Sequence, residues 1–176
     1  ANPTNCDTAT VSVTVTAATI IANDDVGTCV NGSTGGTAFT NVLVNDTLNG
    51  VPVTPALVNL TFVSSTNSGI SLSGSNVVVA PGMPAGSYTL TYKICEVLNA
   101  SNCDNADVTV TVAAAPTVAC YETATFNPAT CLYNITGTQP VEPVHANCWD
   151  TYTFNTTTCV WDNNNTPQPV EPVHAN

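Results

Sequence analysis

The sequence repeats itself on two scales, and the shorter repeat leaves few ways to fold. Cys120-Tyr121-Glu122-Thr123-Ala124-Thr125-Phe126-Asn127, followed by Cys131, returns 28 residues later as Cys148-Trp149-Asp150-Thr151-Tyr152-Thr153-Phe154-Asn155, followed by Cys159. Each copy closes on the same tail, Pro-Val-Glu-Pro-Val-His-Ala-Asn, at 140–147 and 169–176. A unit of this size buries too little apolar surface to hold a core without a covalent staple. Tyr121 to Phe126 and Cys131 to Thr136 read as two strands around Asn127-Pro128-Ala129-Thr130, so a Cys120–Cys131 bond is expected to lock a hairpin, and Cys148–Cys159 the next. Each such bond is worth roughly 3 kcal/mol in the chain-entropy model. The Pro-rich tails are expected to be extended spacers, at ~3.1 Å per residue in polyproline II.

The longer repeat is a strand pattern. Asn5-Cys6-Asp7-Thr8-Ala9-Thr10-Val11-Ser12-Val13-Thr14-Val15 recurs as Asn102-Cys103-Asp104-Asn105-Ala106-Asp107-Val108-Thr109-Val110-Thr111-Val112, 97 residues on. Valines alternate with Thr or Ser, the period of a strand with one buried face. Further strands are expected at Thr37 to Val44, Leu57 to Ser64, Asn76 to Ala80 and Ser87 to Cys95. Turn clusters such as Asn31-Gly32-Ser33, Asn49-Gly50 and Pro81-Gly82 separate them. Six or seven short strands in about 95 residues fit an immunoglobulin-like sandwich, and no segment has helical periodicity. The expected fold is an all-β, elongated rod. Residues 1–19 form the terminal strand of a preceding, or strand-complemented, repeat; 20–115 the β-sandwich; 116–147 the first cysteine hairpin with its tail; and 148–176 the second.

Composition removes several functions. The chain has 176 residues, eight Cys, and twelve carboxylates against one basic side chain, Lys93, for a formal charge of −11. One lysine cannot neutralise a nucleic-acid backbone or hold an anionic lipid surface, so neither is expected as a partner. No segment approaches the ~20 apolar residues that span a bilayer, and membrane insertion is not expected. Nor does a charged stretch precede an apolar one at the start, which reads as an interior piece of a longer secreted protein. Eight cysteines, two histidines and no Cys-x-x-Cys pair argue for disulfides in an oxidising, extracellular compartment.

Asn23-Asp24-Asp25, Asn41-Val42-Leu43-Val44-Asn45-Asp46-Thr47 and Val108-Thr109-Val110-Thr111-Val112 resemble the cadherin-like and Ig-like repeats of bacterial surface proteins, over about residues 20–115. With Ile94-Cys95-Glu96-Val97-Leu98-Asn99, Asn102-Cys103-Asp104 and the Thr-x-Phe-Asn hairpins added, the chain is similar to the giant tandem-repeat adhesins of Bacteroidota. That resemblance implies type IX secretion, a cell-surface location, and a part in gliding motility or attachment. It also implies a Cys95–Cys103 bond, the two cysteines bracketing Glu96 to Asn102. Cys6 is the positional equivalent of Cys103; if all eight cysteines are oxidised, Cys6–Cys29 remains, the alternative being Cys6 bonded to a preceding repeat or another subunit and Cys29 free or bridged elsewhere.

Three kinds of site follow. Calcium takes six to eight oxygen ligands: Asp24 and Asp25 lie where one repeat hands over to the next, the resemblance adds Asp46, and Asp104 and Asp107 flank the last strand. The plainer reading is that Asn-Asp pairs make turns. Asp7-Thr8-Ala9 and Asp46-Thr47-Leu48 are similar to the O-glycosylation signal of Bacteroidota surface proteins, which makes Thr8 and Thr47 glycosylation candidates. The recurring aromatics Tyr121, Phe126, Trp149, Phe154 and Trp161 read as hairpin packing, with stacking on a glycan as the rival.

An enzyme is not expected. His145 and His174 occupy the same position in successive tails and read as solvated loop residues, and no nucleophile elbow, His-Glu-x-x-His pattern or phosphate loop occurs. The sequence therefore predicts a structural segment of an extracellular filament or stalk, its partners neighbouring repeats or identical subunits; the alternative is an adhesin module that binds a glycan or polymer.

Overall fold

The computed structural model describes Thr4 and residues 6–164. All its regular structure is β. Strands β1 (Ile20–Ile21), β2 (Asp25–Val26), β3 (Val30–Asn31), β4 (Gly36–Phe39), β5 (Thr47–Leu48), β6 (Val51–Pro52), β7 (Val58–Ser65), β8 (Ile70–Ser73), β9 (Asn76–Val79), β10 (Gly86–Glu96) and β11 (Cys103–Ala113) belong to the large repeat. Two hairpins follow, β12 (Thr123–Asn127) with β13 (Leu132–Thr136), and β14 (Tyr152–Asn155) with β15 (Val160–Asn163).

The principal sheet has the order β2-β11-β10-β7, with β3 also pairing β11. Its spine is the antiparallel ladder of β10 and β11, in register from Gly86↔Val112 to Cys95↔Cys103. Alternation along β11 sends Ala106, Val108, Val110 and Val112 into the core, while Thr109 and Thr111 face outward. Leu90, Tyr92 and Ile94 of β10 enter the same core. A second sheet, β4-β9-β8, closes it with Ile70, Val77 and Val79, and a small sheet, β1-β5-β6, seals one end. The hydrophobic pattern thus makes a two-sheet sandwich with one contiguous core.

Turn chemistry matches the reading at Asn49-Gly50, where both residues are left-handed (φ 54° and 75°), the geometry a two-residue hairpin loop requires between β5 and β6. It departs from it at Thr37 to Val44. The strand stops at Phe39, since Asn41 is left-handed (φ 61°) and takes the chain out of the ladder, and Val42 and Leu43 become a buried plug. Strands β1, β2, β3, β5, β6 and β8 are not among those the sequence pattern predicts.

Residues 11–15 form no strand among the described residues. Val11, Val13 and Val15 are 83%, 79% and 87% exposed, although their repeat equivalents Val108, Val110 and Val112 are 0–3% exposed. Closely similar sequences therefore occupy opposite environments. Among the described residues no helix is long and apolar enough to cross a membrane.

Candidate functional site

The cysteines define the first site. Cys95–Cys103 forms, with Cα atoms 4.1 Å apart in a directly opposed pair of β10 and β11. The two hairpin staples do not form. Cys120 is instead bonded to Cys159 (Cα–Cα 5.6 Å), and Cys131 to Cys29 (5.4 Å), which also removes Cys6–Cys29. Length is the reason. Cys131 lies in the turn between Asn127 and its partner Leu132, whereas Cys120 lies beyond Thr123 at the open end. At ~3.4 Å per residue, Thr123 to Asn127 alone separates the two ends by about 14 Å, twice the reach of a disulfide. Cys148 and Cys159 stand in the same relation to β14 and β15.

The bonds join successive units instead of stapling each hairpin to itself. Cys29 of the sandwich holds the turn of the first hairpin, and Cys120 at the open end of that hairpin holds the turn of the second. Cys131 and Cys159 are both left-handed (φ 58° and 63°), so the two turns present their cysteines alike. The open ends are alike too: Ala119 N–H donates to Glu122 Oε2, and Asn147 N–H to Asp150 Oδ2, each at 2.8 Å. Cys148 is exposed and in no disulfide. In the native protein without reductant, a maleimide is expected to label Cys148 and to leave Cys29, Cys95, Cys103, Cys120, Cys131 and Cys159 unmodified; label at Cys120 or Cys159 would contradict the pairing.

Aromatic rings fill the join between hairpins. Tyr121 meets Phe154 edge-on at 6.0 Å, and Phe154 meets Trp161 at 5.2 Å; Phe126 packs on Tyr133 within its own hairpin. Such pairs contribute about 0.5–1.5 kcal/mol each beyond burial. Trp161 Nε1–H donates to Pro140 O at 2.9 Å, tying the second hairpin to the first tail. That tail, with Val141 and Val144 exposed, therefore loops between two joined hairpins and does not hold them apart. His145 is exposed against Glu142 (Nε2–Oε1 3.1 Å); His174 lies outside the described residues.

The second site is acidic and lies where the chain enters the sandwich. Asp46 is 0% and Asp25 5% exposed. Asp46 Oδ1 accepts from Asn23 N–H (2.8 Å), and the Tyr92 hydroxyl lies 3.1 Å from both Asp46 oxygens, 3.0 Å from Val42 O and 3.2 Å from Asn23 O. Asp25 Oδ2 is buried with no hydrogen-bond partner. Burial, then the Asp46 charge, pushes Asp25 up from 3.8 to about 6, against a smaller pull from Asn45. Burial also raises Asp46, although Asn23 N–H and Tyr92 support its charge, and it raises the Tyr92 hydroxyl, which stays protonated.

Asp104 and Asp24 accept from backbone N–H groups, and Asp107 from a side chain. Asp104 Oδ2 accepts from Ala22 N–H at 2.9 Å, Asp24 Oδ1 from Asp107 N–H at 2.8 Å, and Asp107 Oδ1 from the Thr91 hydroxyl at 2.6 Å. Among the described residues no three His, Cys, Asp or Glu side chains are grouped to hold a metal. Of the five acids, only Asp25 and Asp46 are buried. Tyr92, which the reading missed, is the organiser; its signal was a polar ring at an inward position of the alternating strand. Of the glycosylation candidates, Thr8 is exposed, and Thr47 is half-buried in β5 beside buried Asp46.

No protein-family model matches this sequence, and no curated protein matches it significantly. What stands is the class: an all-β chain with three disulfides, suited to an oxidising compartment outside the cytosol.

Proposed function

We propose that this chain is a structural, non-enzymatic repeat segment of an extracellular surface filament or stalk, in the adhesion or motility role that its resemblance to Bacteroidota adhesins implies. The observation that carries this reading is the pair of inter-unit bonds, Cys29–Cys131 and Cys120–Cys159. Bonds between successive units limit how far a pull can separate them. The aromatic rings support the same role, since Tyr121, Phe154 and Trp161 are spent on each other. Antibody–gold labelling of source cells is expected to decorate surface filaments along their length. Label confined to filament tips, or saturable binding of the chain on a glycan array, would favour the adhesin module instead.

Calcium belongs to the proposal as an ion held by Asp25 and Asp46, supplying the positive charge their burial lacks. Melting in EGTA is expected to begin several degrees lower than melting in millimolar calcium, by mass action on the folded state. Superimposable curves would remove the ion from the reading.

A further inference from the structure

We infer that residues 6–16 are the last strand of a second sandwich of this kind, the repeat preceding this one on the same polypeptide, seated beside its counterpart of β10. The inference rests on the filament reading and names its intramolecular partner. Its basis is the behaviour of the duplicate strand. Residues 5–15 and 102–112 differ at three pairs only, Thr8/Asn105, Thr10/Asp107 and Ser12/Thr109. In β11 all three fall on the exposed face, whereas Ala106, Val108, Val110 and Val112 are buried. The arm keeps each of these as Ala9, Val11, Val13 and Val15, a complete core-facing stripe that is exposed here, its valines at 79–87%. Exposed valines in such a row are a strand's buried face without its sheet.

The cysteine sets the register. Cys6 stands where Cys103 stands, five residues before the first valine of the stripe, and Cys103 is bonded to Cys95 across the β10–β11 ladder. A partner strand must therefore offer a cysteine directly opposite Cys6. The exposed edge of β7 in a second copy offers none, for Val58–Ser65 contains no cysteine, and β10 of a second copy is already flanked by β11 and β7. What fits is a strand of the Leu90–Glu96 type whose neighbouring position is vacant. The bond formed joins Sγ of Cys6 to Sγ of that strand's cysteine, two thiols losing two protons and two electrons to the oxidising thiol–disulfide machinery of the export compartment.

The link to the present sandwich is short and held. Asn102 Nδ2 donates to Ala18 O (2.9 Å), Thr19 N–H to Asn49 Oδ1 (3.0 Å), and Asn49 N–H to Thr19 O (2.7 Å). The arm thus enters beside Asn102, at the start of β11, while the hairpins leave from its other end, about 34 Å away along eleven extended residues. Strand donation at one end and cystine-linked hairpins at the other give a head-to-tail series.

Native filaments and the isolated chain provide the test. In filaments, non-reducing peptide mapping is expected to recover Cys6 joined to a cysteine that follows an aliphatic residue and precedes Glu, as Cys95 does, with no change in chain size on reduction. Amides of residues 8–16 should exchange at least ~100-fold more slowly in filaments than in the isolated chain. Cys6 recovered as a thiol, joined to Cys148, or joined to a separate polypeptide released by reduction would overturn the inference, as would equal exchange in both forms. Because gold labelling reads filament membership independently, this inference can fail while the stalk reading stands.

Discussion

Replacing Cys29 and Cys131 together by serine lowers the melting temperature of the sandwich by about 10 °C or more and frees the first hairpin from it. The bond closes a loop across 102 residues that contains nearly all the sandwich strands. In the chain-entropy model such a closure removes ~4–5 kcal/mol of unfolded-state freedom, and a domain of this size shifts by about 2–4 °C per kcal/mol. Cys95–Cys103 closes only eight residues and is worth about half as much by the same model. Thermal melts of the two double-serine variants, monitored by near-UV circular dichroism, are therefore expected to rank the long bridge above the short one. Proteolysis should follow suit, cutting residues 114–119 faster in the Cys29→Ser/Cys131→Ser variant. Equal melting of that variant and the parent, or mapping that recovers Cys120 with Cys131, would refute the cross-linked chain of units.

The second large effect is a pH dependence of unusual sign. Asp25 has a folded pKa raised to about 6, so the folded state binds its proton more tightly than the unfolded chain does. Between about 4 and 6 the folded state carries the proton and the unfolded state has lost it, and stability falls as pH rises through that window. For a buried carboxyl the loss is about 3 kcal/mol, complete above pH 6 and absent below 4. Asp46, also raised, acts in the same direction. In EGTA the chain is expected to melt several degrees higher at pH 5 than at pH 7.5. Asp25→Asn, which removes the buried charge and its repulsion from Asp46, should raise the melting temperature at pH 7.5 and flatten the profile. A parent protein more stable at pH 7.5 than at pH 5 would show that the pair is not strained.

Much of this was legible in the sequence because it depended on local pattern. Valine alternation in Val108 to Val112 marked β11, Asn49-Gly50 marked a left-handed turn, and the repeat offset found both hairpins. Thr37 to Val44 misled because its apolar residues suit a strand and a buried plug equally, and Asn41 decides between them. The acidic site was half legible. Asp24, Asp25, Asp46, Asp104 and Asp107 do border the junction, but which of them lose water depends on Tyr92 and the strands above them. The hairpin staples failed on a length already present in the sequence, since a cysteine in the turn cannot reach one at the open end.

By itself the sequence determined that this chain is all-β, that it repeats, and that it belongs where thiols oxidise, because periodicity and composition act residue by residue. Only the tertiary structure decided that Cys29 bonds Cys131, that Cys120 bonds Cys159, and which carboxylates are buried. A disulfide tests a distance of a few ångströms and a desolvated charge tests its surroundings on every side; spacing along the chain can exclude a pairing but does not choose the partner.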